Sequence, residues 1–263
     1  MYAFTLEQPK TLADAKRLTG GGAQALAGGQ TLIASLKQRL AQPGALVDLA
    51  GVAELRGIRR EGNSLVIGAM TRHEEVATSA DVKSSIPGLA ALAGGIGDRQ
   101  VRAMGTIGGS VANNDPAACY PSAVLALGAT IVTDRREIKA DDFFQGLYST
   151  ALDSGELITA IRFPIPKKAA YAKFRQPASR FALVGVFVAL TDGGARVAIT
   201  GAGNGVFRHA GLEAALGKGF TPEAVQGVAI DAGQLNADLH ASAEYRAQLI
   251  RVQTQRAVAA ANG

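Results

Sequence analysis

The chain is poor in the residues that most often advertise chemistry. It has one cysteine, Cys119, in 263 residues, so no intrachain disulfide can form and no four-cysteine pattern exists to hold zinc or an iron–sulfur cluster. Tryptophan is absent and aromatics make up 5% of the chain. The histidines, His73, His209 and His240, stand far apart without metal-ligand spacing, which leaves no recognisable catalytic or metal-binding constellation. Long apolar runs are missing as well. The longest, Phe181 to Leu190, is ten residues, about half of the roughly 20 needed to span a bilayer as a helix, and reads as a buried strand. The N-terminus, MYAFTLEQPK, carries neither a basic n-region nor an apolar h-region, so a cytoplasmic location is expected. The 27 lysines and arginines are scattered and do not alternate with exposed aromatics, which argues against a nucleic-acid surface despite a net charge of +5.

What is present is apolar residues, at 48%, and glycine, at 32 residues: enough to bury a core, with many tight turns. Ala3–Leu6, Ala25–Ala27 and Ala45–Leu49 read as strands, with helices at Leu12–Leu18, opened by Thr11 with Asp14 three residues on, and at Thr31–Leu40. Residues 1–50 thus form a βαβαβ unit. Residues 51–166 form a second unit. It has a hairpin around Glu61-Gly62-Asn63, helices at 71–77, 87–93 and 121–127, and strands at 130–133 and 157–163. The passage 94–115 is glycine-rich, and its first part, Gly94 to Arg102, adds flexibility and basic charge. Asp141-Asp142 reads as a helix cap. Pro164-Ile165-Pro166-Lys167-Lys168 marks a boundary. Beyond it, 167–263 is expected to hold a three-stranded sheet (170–175, 181–190, 194–200) and helices. In the last helix Tyr245, Leu249, Val252 and Ala259 are expected on the buried face, and Arg246, Arg251 and Arg256 off it.

Two runs carry the functional signal, Ala27-Gly28-Gly29-Gln30-Thr31-Leu32 and Thr106-Ile107-Gly108-Gly109-Ser110. Each sets a Gly-Gly pair between an apolar segment and hydroxyl or amide side chains. Glycines let backbone N–H groups approach an anion closely, and a helix start adds a favourable dipole. A Cβ at Gly108 is expected to block that approach. Neither run is GxGxxG or GxxxxGK[ST], so the Rossmann and P-loop mechanisms lack their fingerprints. Upstream, Arg99 and Arg102 read either as counter-charges for a cofactor phosphate or as part of a solvated loop. His73 reads as a surface helix start in preference to a ligand or partner contact, and Cys119 as a buried thiol that is either inert or lines a pocket.

These two runs, together with Gln100-Val101-Arg102, Val111-Ala112-Asn113-Asn114-Asp115-Pro116-Ala117-Ala118 and Tyr120-Pro121, resemble the FAD-binding medium subunit of molybdenum hydroxylases. That group includes the carbon monoxide dehydrogenase medium chain and the flavin domain of xanthine dehydrogenase. The resemblance spans essentially the whole chain. It implies an α+β, PCMH-type FAD-binding fold: two α/β subdomains, 1–50 and 51–166, followed by a C-terminal antiparallel sheet-plus-helix domain, 167–263.

The resemblance further implies FAD between the first two units, its pyrophosphate on both Gly-Gly loops. Leu26, Ala27, Gly28, Gly29, Gln30, Thr31, Leu32 and Ile33 would hold it from one side. Thr106, Ile107, Gly108, Gly109, Ser110, Asn114 and Cys119 would hold it from the other. Ile96, Ile158 and Arg175 would lie near the flavin ring. Many relatives have Asp thirteen residues after the Thr of the second run, where this chain has Cys119. The implied role is an electron-transfer subunit without a catalytic acid or base of its own. A large partner subunit would carry the molybdenum cofactor and a small one the [2Fe-2S] clusters, in a dimer of heterotrimers. A self-sufficient FAD-dependent oxidase or reductase of the same fold, and a binding module that has lost its cofactor, stay open beside it.

Overall fold

Residues 1–50 fold as their alternation of apolar and capping residues predicts. In the computed structural model, which describes residues 1–263, β1 (Thr5–Glu7), α1 (Leu12–Gly20), β2 (Gln24–Leu26), α2 (Leu32–Lys37) and β3 (Ala45–Asp48) follow in turn. The Thr11 hydroxyl accepts from the Asp14 N–H at 3.1 Å and donates to the Asp14 carboxylate at 2.8 Å, satisfying a donor that the first turn leaves without a partner. The strands form a parallel sheet in the order β1-β3-β2, packed on Ala15, Val47, Leu49, Val52 and Leu55.

The second sheet is antiparallel, with strand order β4-β5-β10-β6-β7. It comprises β4 (Ile58–Glu61), β5 (Ser64–Gly68), β6 (Thr130–Thr133), β7 (Glu137–Lys139) and β10 (Ile158–Pro164). Between β7 and β10 lie the short helix α9 (Ala140–Phe143) and a small hairpin, β8 (Phe144–Gly146) with β9 (Ser149–Thr150). Between β5 and β6 run α3 (His73–Thr78), α4 (Ala80–Ser85), α5 (Pro87–Gly94), α6 (Arg99–Met104), α7 (Ile107–Asn113) and α8 (Tyr120–Ala126).

Two of those helices, α6 and α7, occupy most of the glycine-rich passage 94–115. Asp98 caps α6, accepting from the Val101 N–H at 2.9 Å. Thr106 caps α7 through the Gly109 N–H at 3.2 Å, while the Ile107 and Gly108 N–H groups donate to Thr71 O at 3.1 Å and Ala69 O at 2.8 Å. Partners distant in sequence thus hold a Gly-Gly segment in a helix that its own propensity disfavours by about 1 kcal/mol per glycine. Asp141 is likewise not a cap. It lies within α9, and its carboxylate accepts from Arg196 at 2.9 Å and Arg208 at 3.2 Å.

The third sheet has β11 (Lys168–Arg175), β12 (Ala182–Thr191), β13 (Gly194–Thr200) and a fourth, two-residue strand, β14 (Phe207–Arg208), too short to show a period in the sequence. Helices α10 (Ala210–Lys218) and α11 (Ala243–Asn262) complete the chain. Val184, Val186 and Val188 of β12 pack with Leu212 of α10 and Leu249, Ile250 and Val258 of α11. Phe187 and Ala189, on the other face, join the core built on the second sheet, α5 and α8. Burial on both faces is why β12 reads as a continuous apolar run instead of an alternating one. No helix is long and apolar enough to cross a membrane.

The buried face of α11 differs from the expected one. Tyr245 is 46% exposed and Ala259 is exposed, whereas Arg246 is 2% exposed. The Arg246 guanidinium donates to Leu183 O at 2.9 Å and Gly201 O at 2.7 Å and pairs with Asp238 at 2.7 Å. Fixed acceptors on the sheet overcome the polarity of the side chain.

Candidate cofactor cleft

The first glycine run forms the turn between β2 and α2. Gly29 sits at φ +70°, a conformation glycine adopts at little steric cost. A Cβ on Gly28 would overlap Met104 O and come within 2.7 Å of Gly105 Cα, so only glycine lets this turn lie against the link between α6 and α7. The backbone N–H groups of Gly28, Gly29, Gln30, Thr31 and Leu32 have no acceptor within the chain; the first bond in the series is Ile33 N–H to Gly29 O at 3.0 Å. Successive unpaired N–H groups at a helix start form a concavity suited to an anion.

The second run faces the first: a Cβ at Gly109 would stand 3.2 Å from Ala27 Cβ. It does not mirror the first in chemistry. Its N–H groups from Ile107 to Ser110 are bonded to Thr71, Ala69 and Thr106, so it offers hydroxyls, from Thr106 and Ser110, in place of backbone donors. Nor does Gly108 open toward a ligand. A Cβ there would be 2.5 Å from Ala69 Cβ and 2.7 Å from Ala69 O, so the close approach belongs to packing of α7 on the end of β5.

Between the two runs lies a cleft of about 890 Å³. Of the residues singled out in the sequence, Ala27, Gly28, Gly29, Gln30, Thr31, Leu32, Ile96, Thr106, Gly109, Ser110 and Cys119 line it. Leu26 and Ile33 flank the turn from β2 and α2. Ile107, Gly108 and Ile158 are buried in the fold. Arg175, exposed at the end of β11, reaches the neighbourhood of Gly95. Asn114 sits at φ +44° and donates to Gly146 O and Ser149 O, both at 2.8 Å, tying the β8–β9 hairpin to α7. It opens on a second cavity of about 500 Å³.

Further side chains stand on or behind the cleft wall. His73 is buried, correcting the surface helix start expected for it. Its ring lies 5.3 Å from that of Tyr120, and its backbone N–H donates to Gly105 O at 2.9 Å. Loss of hydration, helped by the Arg102 cation, holds the imidazole pKa down to about 4, so the ring is neutral near pH 7. Arg102 itself is engaged with Ile96 O, Gly97 O and Glu74, which removes it as a counter-charge for phosphate. Asp115, the one carboxylate on the cleft wall, accepts from Ala117 N–H at 2.8 Å and from the Tyr148 hydroxyl at 3.2 Å. Lys173, Arg180 and Phe181 close the end of the cleft near Cys119.

A cleft of this size, with a row of backbone donors, apolar walls at Ile96, Val101 and Phe181, and more cations than anions, fits an elongated dinucleotide diphosphate. Comparison with known proteins agrees. Residues 2–166 match the FAD binding domain in molybdopterin dehydrogenase. The carbon monoxide dehydrogenase medium chain of Hydrogenophaga pseudoflava is 36% identical over 98% of this chain and 96% of the relative. The glyceraldehyde dehydrogenase medium chain of Sulfolobus acidocaldarius is 34% identical over 97% and 96%. The structure of the H. pseudoflava carbon monoxide dehydrogenase lacking the Mo-pyranopterin moiety superposes with a TM-score of 0.90 at 36% identity, covering 99% of this chain and 97% of the other. Quinoline 2-oxidoreductase from Pseudomonas putida 86 gives 0.88 at 28% identity, covering 99% and 97%. The chain belongs to the FAD-binding family of molybdopterin dehydrogenases, as a medium-type, FAD-dependent oxidoreductase subunit.

Proposed function

We propose that this chain is the electron-transfer subunit of a cytoplasmic molybdenum hydroxylase, taking electrons from iron–sulfur clusters in a small partner and passing them through FAD to an external acceptor. Substrate oxidation would take place on a molybdenum cofactor in a large partner, and the assembly would be a dimer of such heterotrimers. The observation that carries this reading is the row of N–H groups from Gly28 to Leu32 without an acceptor, beside a cleft that lies between the Gly28-Gly29 turn and helix α7. In this reading the units 1–50 and 51–166 grip the cofactor and 167–263 closes its ring end.

The residues divide the work accordingly. Gly28 to Leu32 bind the pyrophosphate by backbone donation, and the Ser110 and Thr106 hydroxyls add donors from the facing helix. Ile96, Val101 and Phe181 would exclude water around a flavin ring held at the Cys119 end of the cleft. Neutral His73 packs behind Gly105 and adds no charge. Flavin supplies the ability to take electrons singly and to hand on one or two. No side chain has to hold or move a proton for that relay.

The test is an absorption spectrum of the protein purified with whatever accompanies it, together with iron and molybdenum analysis. The relay role requires about one FAD per chain, with both metals confined to co-purifying chains. An active lone chain with flavin would make it a self-sufficient flavoenzyme instead. A chain that neither holds nor takes up FAD would refute the cleft assignment.

A further inference from the structure

The far wall of the cleft carries a cation that no carboxylate neutralises. Lys173 stands near the end of β11, and its ammonium reaches across to the second unit. It donates to Gly95 O at 2.7 Å and to Arg180 O at 3.1 Å, and lies 3.4 Å from Cys119 Sγ. The lysines that pair with carboxylates in this chain are Lys16 and Lys167. Two carbonyls and a thiol fix the ammonium in place without cancelling its charge.

The surroundings do not cancel it either. Arg180, also on the cleft wall, and exposed Arg175 add charge of the same sign. Asp115 is the only carboxylate lining the cleft, and its oxygens already accept from Ala117 and Tyr148. Tyr171 is a buried phenol whose burial pushes its pKa well above the ordinary value, so it stays neutral. The side chain that decides the balance is therefore the one in contact. With Cys119 there the cation is uncompensated; a carboxylate at 119 would close an ion pair.

We propose that the Lys173 ammonium, left uncompensated by Cys119, raises the reduction potential of the flavin bound in this cleft. The inference rests on the reading above that FAD occupies the cleft with its ring toward Cys119. When the ring takes up two electrons from the partner's clusters and one proton from water, it gains one negative charge. A fixed cation in a site of low dielectric favours that charged form over the neutral oxidised one. Lys173 thereby makes this subunit a stronger electron sink for its clusters.

The experiment is a reductive titration of the FAD-loaded protein, with its partner chains, against a reference dye. Wild type, Lys173→Met, Lys173→Arg and Cys119→Asp are compared. Lys173→Met and Cys119→Asp are each expected to shift the oxidised-to-reduced balance about tenfold toward oxidised, a fall of about 30 mV for a two-electron couple, while Lys173→Arg stays near wild type. Cys119→Asp leaves the lysine and its carbonyl partners in place, so it decides the matter if Lys173→Met fails to fold or to hold FAD. A purely structural bridge between β11 and the second unit would leave the potential unmoved. An unchanged potential in Cys119→Asp, or equal shifts in Lys173→Met and Lys173→Arg, overturns the proposal while the FAD assignment stands. Wild type without stoichiometric FAD sinks that assignment, and this inference with it.

Discussion

Gly108→Ala separates packing from ligand contact at the second glycine run. The added Cβ would lie 2.5 Å from Ala69 Cβ, 2.7 Å from Ala69 O and 2.8 Å from Ala69 Cα, against about 3.5–4.0 Å for an unstrained carbon contact. Relief therefore needs a displacement of about 1 Å. Both partners are backbone-anchored: Gly108 N–H donates to that same Ala69 O at 2.8 Å, and Ala69 N–H donates to Thr159 O at 2.9 Å on β10. Neither side can swing away as a flexible side chain would. Overpacking of this kind costs about 1–3 kcal/mol, which for a chain of this size lowers Tm by about 2–10 °C. The assay is thermal unfolding followed by circular dichroism, on apo and FAD-loaded protein, with Ser110→Ala, whose hydroxyl lines the cleft, as the comparison. Gly108→Ala should lose stability in both states, and Ser110→Ala should chiefly weaken FAD binding. If Gly108→Ala melts like wild type yet fails to retain FAD, the glycine faces the ligand and the packing account is wrong.

Three further expectations follow from buried polar side chains. Arg246→Met leaves the buried Leu183 and Gly201 carbonyls without their donor and should cost about 2–5 kcal/mol, read as a lower urea midpoint at unchanged slope; an unmoved midpoint would show that these acceptors find water. His73 has its folded pKa depressed to about 4 against about 6.5 unfolded. The unfolded chain therefore binds the proton first as pH falls. The native state loses about 2 kcal/mol between pH 6.5 and 5 on this account, with no such loss above pH 7. His73→Phe should flatten that part of the stability curve, and an identical slope in both proteins would refute it. Asn114→Ala removes both tethers of the β8–β9 hairpin, so limited proteolysis should begin to cut between Gly146 and Ser149, where the wild type resists.

Where local signals and long-range contacts agree, the fold was legible. Thr11 with Asp14 announces α1, and the apolar run of β12 announces a strand buried on both faces. α7 was hidden because two glycines argue against a helix, and the carbonyls of Ala69 and Thr71 that hold it are some forty residues upstream of its first turn. The face of α11 was misread for a related reason. Apolar periodicity favours Tyr245, and nothing near Arg246 in sequence reveals the Leu183 and Gly201 carbonyls that accept from it. In the cleft, the turn at Gly28 was legible from its own residues. Lys173 was not, since it reaches the cleft only through the packing of separate units, and for His73 the surface reading prevailed because nothing near it in sequence reveals its burial.

The double burial of β12 bears on how the chain can be made and cut. A polypeptide ending at 166 would leave the helices α5 and α8 without the Phe187 and Ala189 surface that covers them, presenting a greasy face to other nascent chains. The stretch that matches the family's FAD-binding domain, 2–166, is thus not a detachable module. During synthesis its core stays open until the ribosome has released β12 and β13, and a fragment expressed alone should partition into aggregates that the full chain avoids.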